Sequence, residues 1–105
     1  MDKVFSALAS TPRRRILAYL SATSLTAGEI AERFDMSKPS LSKHLSVLEN
    51  AGLIDRKKKG QFVHYTLNPE SLTNTLNGFV QQVCPVSIPL RKESEEIASK
   101  RSEEE

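Results

Sequence analysis

Residues 37–52 carry signals for a helix start and a helix stop, and they constrain the fold more than any other stretch. Ser37 is a good N-cap, because its hydroxyl can accept a hydrogen bond from a free amide of the first turn. Gly52 suits the left-handed position that follows a helix, and Leu53 can then fold back on Leu48. The stretch therefore predicts one capped helix, with leucines at helical spacing along its buried side.

The polar side of this helix begins with lysines and small hydroxyls. Its N-terminal end offers Lys38, Pro39, Ser40, Ser42 and Lys43. Such a helix suits the DNA major groove, because lysine can donate to guanine and serine can donate or accept. An ordinary amphipathic surface helix is an equally good interpretation of this stretch taken by itself.

His44 follows the exposed end of the same helix and lies close to its leucine stripe. It can contact a DNA phosphate or form a hydrogen bond within the domain, and its place favours a structural or mixed role. The second histidine, His64, lies further along the chain, where a contact with the DNA backbone and simple solvation are both open.

Three helices are predicted before the capped helix at residues 37–52, and they span residues 2–9, 12–22 and 26–34. Thr11 is the expected N-cap of the second, with Pro12 in its first position. Thr26 and Glu29 form a capping box at the start of the third. A turn of about three residues then leads into the capped helix, which predicts a helix-turn-helix.

Arginines crowd the first turn of the second helix, where their charge opposes the positive end of the helix dipole. The arrangement is reasonable if a phosphate lies close by, so Arg13 and Arg14 are predicted to contact DNA. The alternative is a solvated basic turn.

After Gly52 the apolar spacing changes from helical to alternating. Residues 53–57 and 61–67 are predicted strands, joined by a turn at residues 58–60. A helix-turn-helix followed by a hairpin is a winged helix-turn-helix. The fold prediction is mainly α with a small β-hairpin, in the order α-α-α-α-β-β-α plus a possible C-terminal helix. The wing is predicted to lie along the phosphate backbone or an adjacent minor groove, through Lys57, Lys58, Lys59 and Gln61.

A further helix is expected to begin at Asn68 and Pro69. Its apolar stripe is long for the edge of a domain whose core is thin. We expect part of the stripe, together with the first helix, to contact a second copy of the chain. The predicted interface consists of Val4, Phe5, Leu8, Leu72, Leu76, Phe79, Val80 and Val83.

Charge is distributed unevenly along the 105 residues. Residues 1–67 hold 11 basic and 6 acidic side chains, whereas residues 68–105 hold 4 basic and 7 acidic ones. The basic front predicts a surface that faces a polyanion. Residues 1–84 are predicted to be the DNA-binding and dimerisation domain, and residues 85–105 an acidic extension with a helix predicted at 90–102.

Several classes of protein are not favoured. Cys84 is the single cysteine, which excludes an intrachain disulfide and fits a reducing cytoplasm. We see no signal peptide and no apolar run near the ~18 residues of a membrane span. A nucleophile–base pair and a phosphate-binding loop are absent, so neither an enzyme nor a cofactor is predicted.

The order of these motifs resembles the ArsR/SmtB family of bacterial repressors over residues 3–83. The likeness rests on the segments Thr-Pro-Arg-Arg, Thr-Ala-Gly-Glu-Ile-Ala and Ser-Lys-Pro-Ser-Leu-Ser-Lys-His-Leu, followed by Gly-Leu-Ile and a Lys/Gly wing. Residues 25–29 and 59–62 are most similar to the SdpR-type autorepressor branch. The resemblance implies a homodimer, joined through its first and last family helices, that occludes a promoter.

Metal sensors of that family take their ligands from two segments, and the matching segments of this chain lack those ligand residues. Residues 26–34 contain no cysteine, and residues 72–83 contain no His, Asp or Glu. We therefore expect no metal site. Cys84 is interpreted as a small apolar residue at a helix end. The alternatives left open are gating by an unidentified small ligand or by oxidation of Cys84, and a winged helix that binds protein instead of DNA.

Overall fold

The computed structural model describes residues 2–83 and 88–104, and the side chains of residues 2–83 and 92–101. The chain divides into two compact units, Met1–Leu72 and Thr73–Glu105. The division predicted between residues 84 and 85 stays a prediction. The interpretations of Cys84 and of the link at Pro85 fall outside the described residues.

The first unit is built from four helices and three strands. They are α1 (Asp2–Leu8), α2 (Thr11–Leu20), β1 (Leu25–Thr26), α3 (Ala27–Ala31), α4 (Lys38–Asn50), β2 (Ile54–Lys59) and β3 (Phe62–Leu67). Helix α5 (Pro69–Val83) begins in this unit and continues into the second, which also contains α6 (Ile88–Glu104). The predicted winged helix-turn-helix is confirmed, and α6 is longer at both ends than the helix predicted at 90–102.

The ends of α4 form as the sequence predicts. The Ser37 hydroxyl accepts from the Ser40 amide at 3.3 Å. Gly52 has a φ of 77°, its N–H donates to the Glu49 carbonyl, and the Leu53 N–H donates to the Leu48 carbonyl, both at 3.0 Å. These two bonds are the Schellman pair, so α4 is closed at both ends by local chemistry.

Several helix boundaries differ from the prediction, and α2 ends at Leu20 where residue 22 was expected. Ser10, not Thr11, is the N-cap of α2, since its hydroxyl accepts from the Arg13 amide at 3.4 Å. Helix α3 ends at Ala31, so residues 32–37 separate it from α4 where about three residues were expected. Beyond this end, the Phe34 ring packs edge-on against Tyr19 of α2, with ring centroids 5.7 Å apart.

The sheet has a third strand that the sequence analysis missed. Strand β1 pairs antiparallel with β3, placing Leu25 opposite Tyr65 and Thr26 opposite His64, and gives the order β1-β3-β2. A strand of two residues is too short to show alternation, which explains the omission. It ties the start of α3 to the wing.

The hairpin turn also lies elsewhere than predicted. Strand β2 runs through Lys59, which pairs with Phe62, so the turn consists of Gly60 and Gln61. Gly60 has a φ of 63° and Gln61 is not left-handed, as a two-residue type II′ turn requires. Lys58 and Lys59, which were predicted to lie in the turn, are therefore part of β2 together with Lys57.

The core of the first unit joins all four of its helices to the sheet. Leu48 and Leu53 are fully buried at the end of α4 and just beyond it. The other buried apolar residues are Val4, Ala7, Ile16, Leu17, Leu20, Ile30, Leu41, Leu45, Ile54 and Tyr65. The leucine stripe of α4 thus faces inward, and its polar side remains at the surface.

Replacing Gly52 with alanine is expected to lower the free energy of unfolding by about 1–2 kcal/mol, because a Cβ disfavours the left-handed backbone. Gly28→Ala is the matched control: it lies inside α3, where its Cβ would meet nothing closer than 3.9 Å, and alanine should add about 0.5–1 kcal/mol. Urea denaturation at one protein concentration measures both. Equal midpoints for wild type and Gly52→Ala would contradict the assigned helix stop.

Candidate nucleic-acid interface

The exposed face of α4 is fixed by the buried leucines on the opposite side of the helix. Leu41, Leu45 and Leu48 are each no more than 3% exposed. The residues on the opposite side at the N-terminal end are all exposed: Lys38, Pro39, Ser40, Ser42 and Lys43. A rigid helix that presents lysines and hydroxyls at its N-terminal end has the form of a recognition helix.

The hydroxyl of Ser40 is oriented by the cap of the same helix. Ser37 donates its O–H to the Ser40 oxygen at 3.1 Å while it accepts from the Ser40 amide. The Ser40 proton therefore remains available to donate outward.

The start of α3 is fixed by a reciprocal pair of hydrogen bonds. The Thr26 amide donates to the Glu29 carboxylate at 2.9 Å, and the Glu29 amide donates to the Thr26 hydroxyl at 3.2 Å. The backbone bond first, and the Thr26 side chain second, lower the pKa of Glu29. The predicted capping box is confirmed, and it anchors the helix-turn-helix beside β1.

The wing presents exposed lysines on both of its faces. Lys57 lies opposite His64 and Lys59 opposite Phe62, whereas Lys58 lies opposite Val63 on the other face. Within residues 2–83 and 92–101, none of these lysines forms an ion pair with a carboxylate. They are available to phosphate groups.

An exposed aromatic ring completes the wing, and sequence reasoning gave it no role. Phe62 is 58% exposed directly after the Gly60–Gln61 turn and shares a face with Lys59. The sequence feature that could have predicted its exposure is the alternation of β3, which places Phe62 on the side opposite the buried Tyr65.

Arg13 and Arg14 reach back to the carbonyl end of α1. Arg13 Nε donates to the Ala7 carbonyl at 2.8 Å, and its Nη2 donates to the Ser6 carbonyl at 3.1 Å. Arg14 donates to the Leu8 carbonyl and, at 3.1 Å, to the Thr11 hydroxyl. These bonds place two cations at the negative C-terminal end of α1, which is a structural reason for both arginines to lie in this turn.

The third arginine of this turn is also engaged within the unit. The Arg15 guanidinium lies 4.8 Å from the centre of the Phe34 ring. The predicted contacts of Arg13 and Arg14 with DNA phosphates stay predictions.

The two histidines differ in their surroundings. His44 Nδ1 lies 3.3 Å from Arg13 Nη1, which is the internal hydrogen bond that its place on the helix favoured. Burial, and then the charge of Arg13, lower the pKa of His44. On the wing, His64 Nδ1 is shielded from solvent and has no hydrogen-bond partner among the described residues.

Comparisons with known proteins agree with this geometry. The family model described as a helix-turn-helix domain matches residues 8–57. The transcriptional repressor SdpR of Bacillus subtilis is 46% identical over 77 residues, 73% of this chain and 86% of that protein. A solved ArsR family transcriptional regulator is 34% identical with a TM-score of 0.70, over 77% of this chain and 84% of that one. The chain belongs to the ArsR/SmtB family.

Within this family the chain lies in the SdpR-type branch of winged helix-turn-helix transcription regulators. The HTH-type regulator YuzN of Bacillus subtilis is 40% identical over 87 residues, 76% of this chain and 95% of the relative. An ArsR-like regulator from Rhodococcus has a TM-score of 0.75 at 26% identity, over 98% of this chain and 89% of that one.

The predicted dimer residues of this ArsR-family chain fall into two groups. Val4 is only 5% exposed and belongs to the core of its own unit, while Phe5, Leu8 and Leu72 are half-buried. The other four are exposed on α5: Leu76 36%, Phe79 40%, Val80 44% and Val83 63%. Their contact with a second subunit stays a prediction.

Neither a metal site nor a membrane span is found in the part of the chain that the structure describes. No three side chains of His, Cys, Asp or Glu come together there as a metal ion would need. None of the described helices is both long enough and apolar enough to cross a bilayer.

Proposed function

We propose that this DNA-binding repressor acts as a homodimer on an inverted-repeat operator, one copy of which lies upstream of its own gene. The observation that carries the proposal is the exposed lysine and serine face of α4, which is fixed by buried leucines below and by caps at both ends. Action on promoter DNA places the protein in the cytoplasm.

Each α4 enters a major groove with its N-terminal half. Lys38 and Lys43 donate to guanine O6 and N7, Ser40 and Ser42 serve as short donors, and Pro39 meets a thymine methyl. The wing lysines lie along the neighbouring phosphates. Phosphate contacts position the protein, and the contacts of α4 carry its sequence preference.

The apolar side of α5 supports the homodimer. Four large apolar side chains between 36% and 63% exposed follow one another at helical spacing. A second copy of the same stripe is a self-complementary partner around a two-fold axis. Two-fold symmetry then sets the half-sites about 10 base pairs apart, or a multiple of that spacing.

A mobility-shift titration with the DNA upstream of the gene tests the proposal, and a scrambled duplex of the same length serves as the control. We expect binding of the upstream DNA at least ~1,000-fold tighter than binding of the scrambled duplex. Footprinting should show two protected half-sites. Equal affinity for both duplexes, or no binding at any salt concentration, would contradict the proposal.

Lys43→Ala should weaken binding of the upstream DNA and leave binding of the scrambled duplex nearly unchanged. A lost bidentate contact with guanine costs about 1–3 kcal/mol in each half-site. Lys58→Ala is the matched control, because a phosphate contact of the wing affects both duplexes alike. If Lys43→Ala weakens binding of both duplexes equally, Lys43 contacts only phosphate.

A further inference from the structure

Arg13 connects three elements of the first unit. Its guanidinium belongs to α2, donates to the Ser6 and Ala7 carbonyls at the end of α1, and contacts His44 on α4. Two of its three nitrogens are directed by backbone carbonyls, which leaves Nη1 aimed at the imidazole. The position of Arg13 is thus determined without His44, and it acts on His44 as a fixed donor.

The direction of the third bond follows from proton counting. A guanidinium keeps its protons and has no acceptor, so Nη1 donates and His44 Nδ1 accepts. An accepting Nδ1 carries no hydrogen, and the single proton of the neutral ring is then on Nε2. The Nε2–H is a donor that the bond to Arg13 leaves unused.

His44 stands at the border between the interior and the DNA face of α4. It follows Ser40 by four residues, one helical turn, and therefore lies on the same side of the helix. The side chain is partly exposed, unlike Leu41 and Leu45 beside it. It directly follows Lys43, the last of the side chains of α4 that are proposed to contact base edges.

We propose that Arg13 is a positioning residue that holds His44 as a neutral imidazole protonated on Nε2, and that this N–H donates to a phosphate oxygen of the operator. The second half of this proposal rests on the proposed function, since it takes α4 to be the recognition helix. Arg13, which was predicted to contact phosphate, then acts on the DNA through His44.

The charge around His44 supports the neutral form. Burial is the larger cause that lowers its pKa, and Arg13 on α2 is the charged group that adds to it. The Ser6 and Ala7 carbonyls of α1 accept from the same guanidinium and hold it beside the imidazole. A protonated imidazole would place two cations 3.3 Å apart and break the bond.

The assignment of the His44 proton to Nε2 is tested in the free protein by ¹⁵N NMR of the imidazole nitrogens. A His64→Gln background leaves His44 as the one histidine. We expect the Nε2–H form at pH 7.5, and a mixture of both neutral forms together with a raised pKa in Arg13→Met. A predominant Nδ1–H form in the Arg13 protein would overturn the assignment.

The second half is tested by two amides that imitate opposite nitrogens of the ring. The amide of His44→Gln reaches the Nε2 position and keeps a donor for DNA, whereas the amide of His44→Asn reaches only Nδ1 and keeps the partner of Arg13. We expect His44→Gln to bind upstream and scrambled DNA within about twofold of wild type, and His44→Asn to bind both roughly tenfold more weakly. The reverse order, or no difference between the two, would overturn the proposal.

The pH dependence of unfolding gives an independent readout. Because the pKa of His44 lies below its ordinary value of 6.5 when folded, the unfolded chain takes up the proton first. This stabilising contribution is complete above pH 6.5 and is lost as the pH falls through the folded pKa. His44→Gln should remove that part of the pH dependence. An unchanged profile would overturn the neutral-imidazole assignment.

Failure of the proposed function and failure of the inference about His44 can be distinguished. If wild type binds neither duplex, the proposed function and the phosphate contact both fail, while the NMR result still decides the role of Arg13. If wild type binds and the amide variants come out in the reverse order, only this inference fails.

Discussion

Reversal of Lys57, Lys58 and Lys59 to glutamate is expected to abolish DNA binding at physiological salt. A dimer would present six of these lysines, and their side chains are exposed and unpaired with carboxylates among the described residues. Affinity for DNA depends on the number of phosphates neutralised, because each neutralised phosphate releases counterions. The reversal replaces that gain with repulsion, so binding of upstream and scrambled DNA should fall together.

The matched control changes the same amount of charge elsewhere. Lys92, Lys100 and Arg101 are exposed on α6 in the second unit, and their reversal to glutamate should weaken binding far less. A milder variant measures the contacts directly: with all three wing lysines changed to alanine, the slope of log affinity against log salt should fall by about 5 if all six contact phosphate. An unchanged slope would remove the wing from the interface.

The second large effect is expected from Val80→Asp. Val80 lies within the exposed apolar stripe of α5 and is 44% exposed. A carboxylate at the centre of a two-fold interface brings two like charges together and loses their solvation. Light scattering should show a monomer. Operator affinity should fall by roughly 100-fold or more, because the two recognition helices no longer bind as one linked pair.

Asn74→Asp introduces the same charge on an exposed position of α5 outside the stripe, and it should remain dimeric. A dimeric Val80→Asp would show that the interface lies elsewhere. A wild-type protein that is monomeric on the operator would exclude the homodimer itself.

Most of the fold was predictable because its boundaries depend on local chemistry. The Ser37 cap, the left-handed Gly52 and the Thr26–Glu29 capping box involve residues no more than a few positions apart, and all three form as expected. The N-cap of α2 and the position of the hairpin turn were local features that were assigned wrongly, whereas other failures concern contacts with distant residues. Phe34 lies beyond the end of α3 and packs on Tyr19 of α2, and β1 forms by pairing with β3.

The candidate interface shows the same limit. The exposed lysines of α4 and of the wing could be listed from the sequence. The distribution of the wing lysines over the two faces of β2 followed only once the strand register and the turn were known. The exposure of Phe62 was missed for the same reason, since alternation alone does not tell how far a strand extends beyond the core.

The sequence by itself determined a capped, leucine-anchored helix as the second helix of a helix-turn-helix, followed by a basic hairpin, because caps and periodicity act over one or two turns. Tertiary structure decided what the residues around that helix do. Arg13 and His44 are 31 positions apart, and their bond exists because the core brings α2 against α4. An arginine that sequence alone assigns to phosphate is thereby engaged by α1 and by the recognition helix.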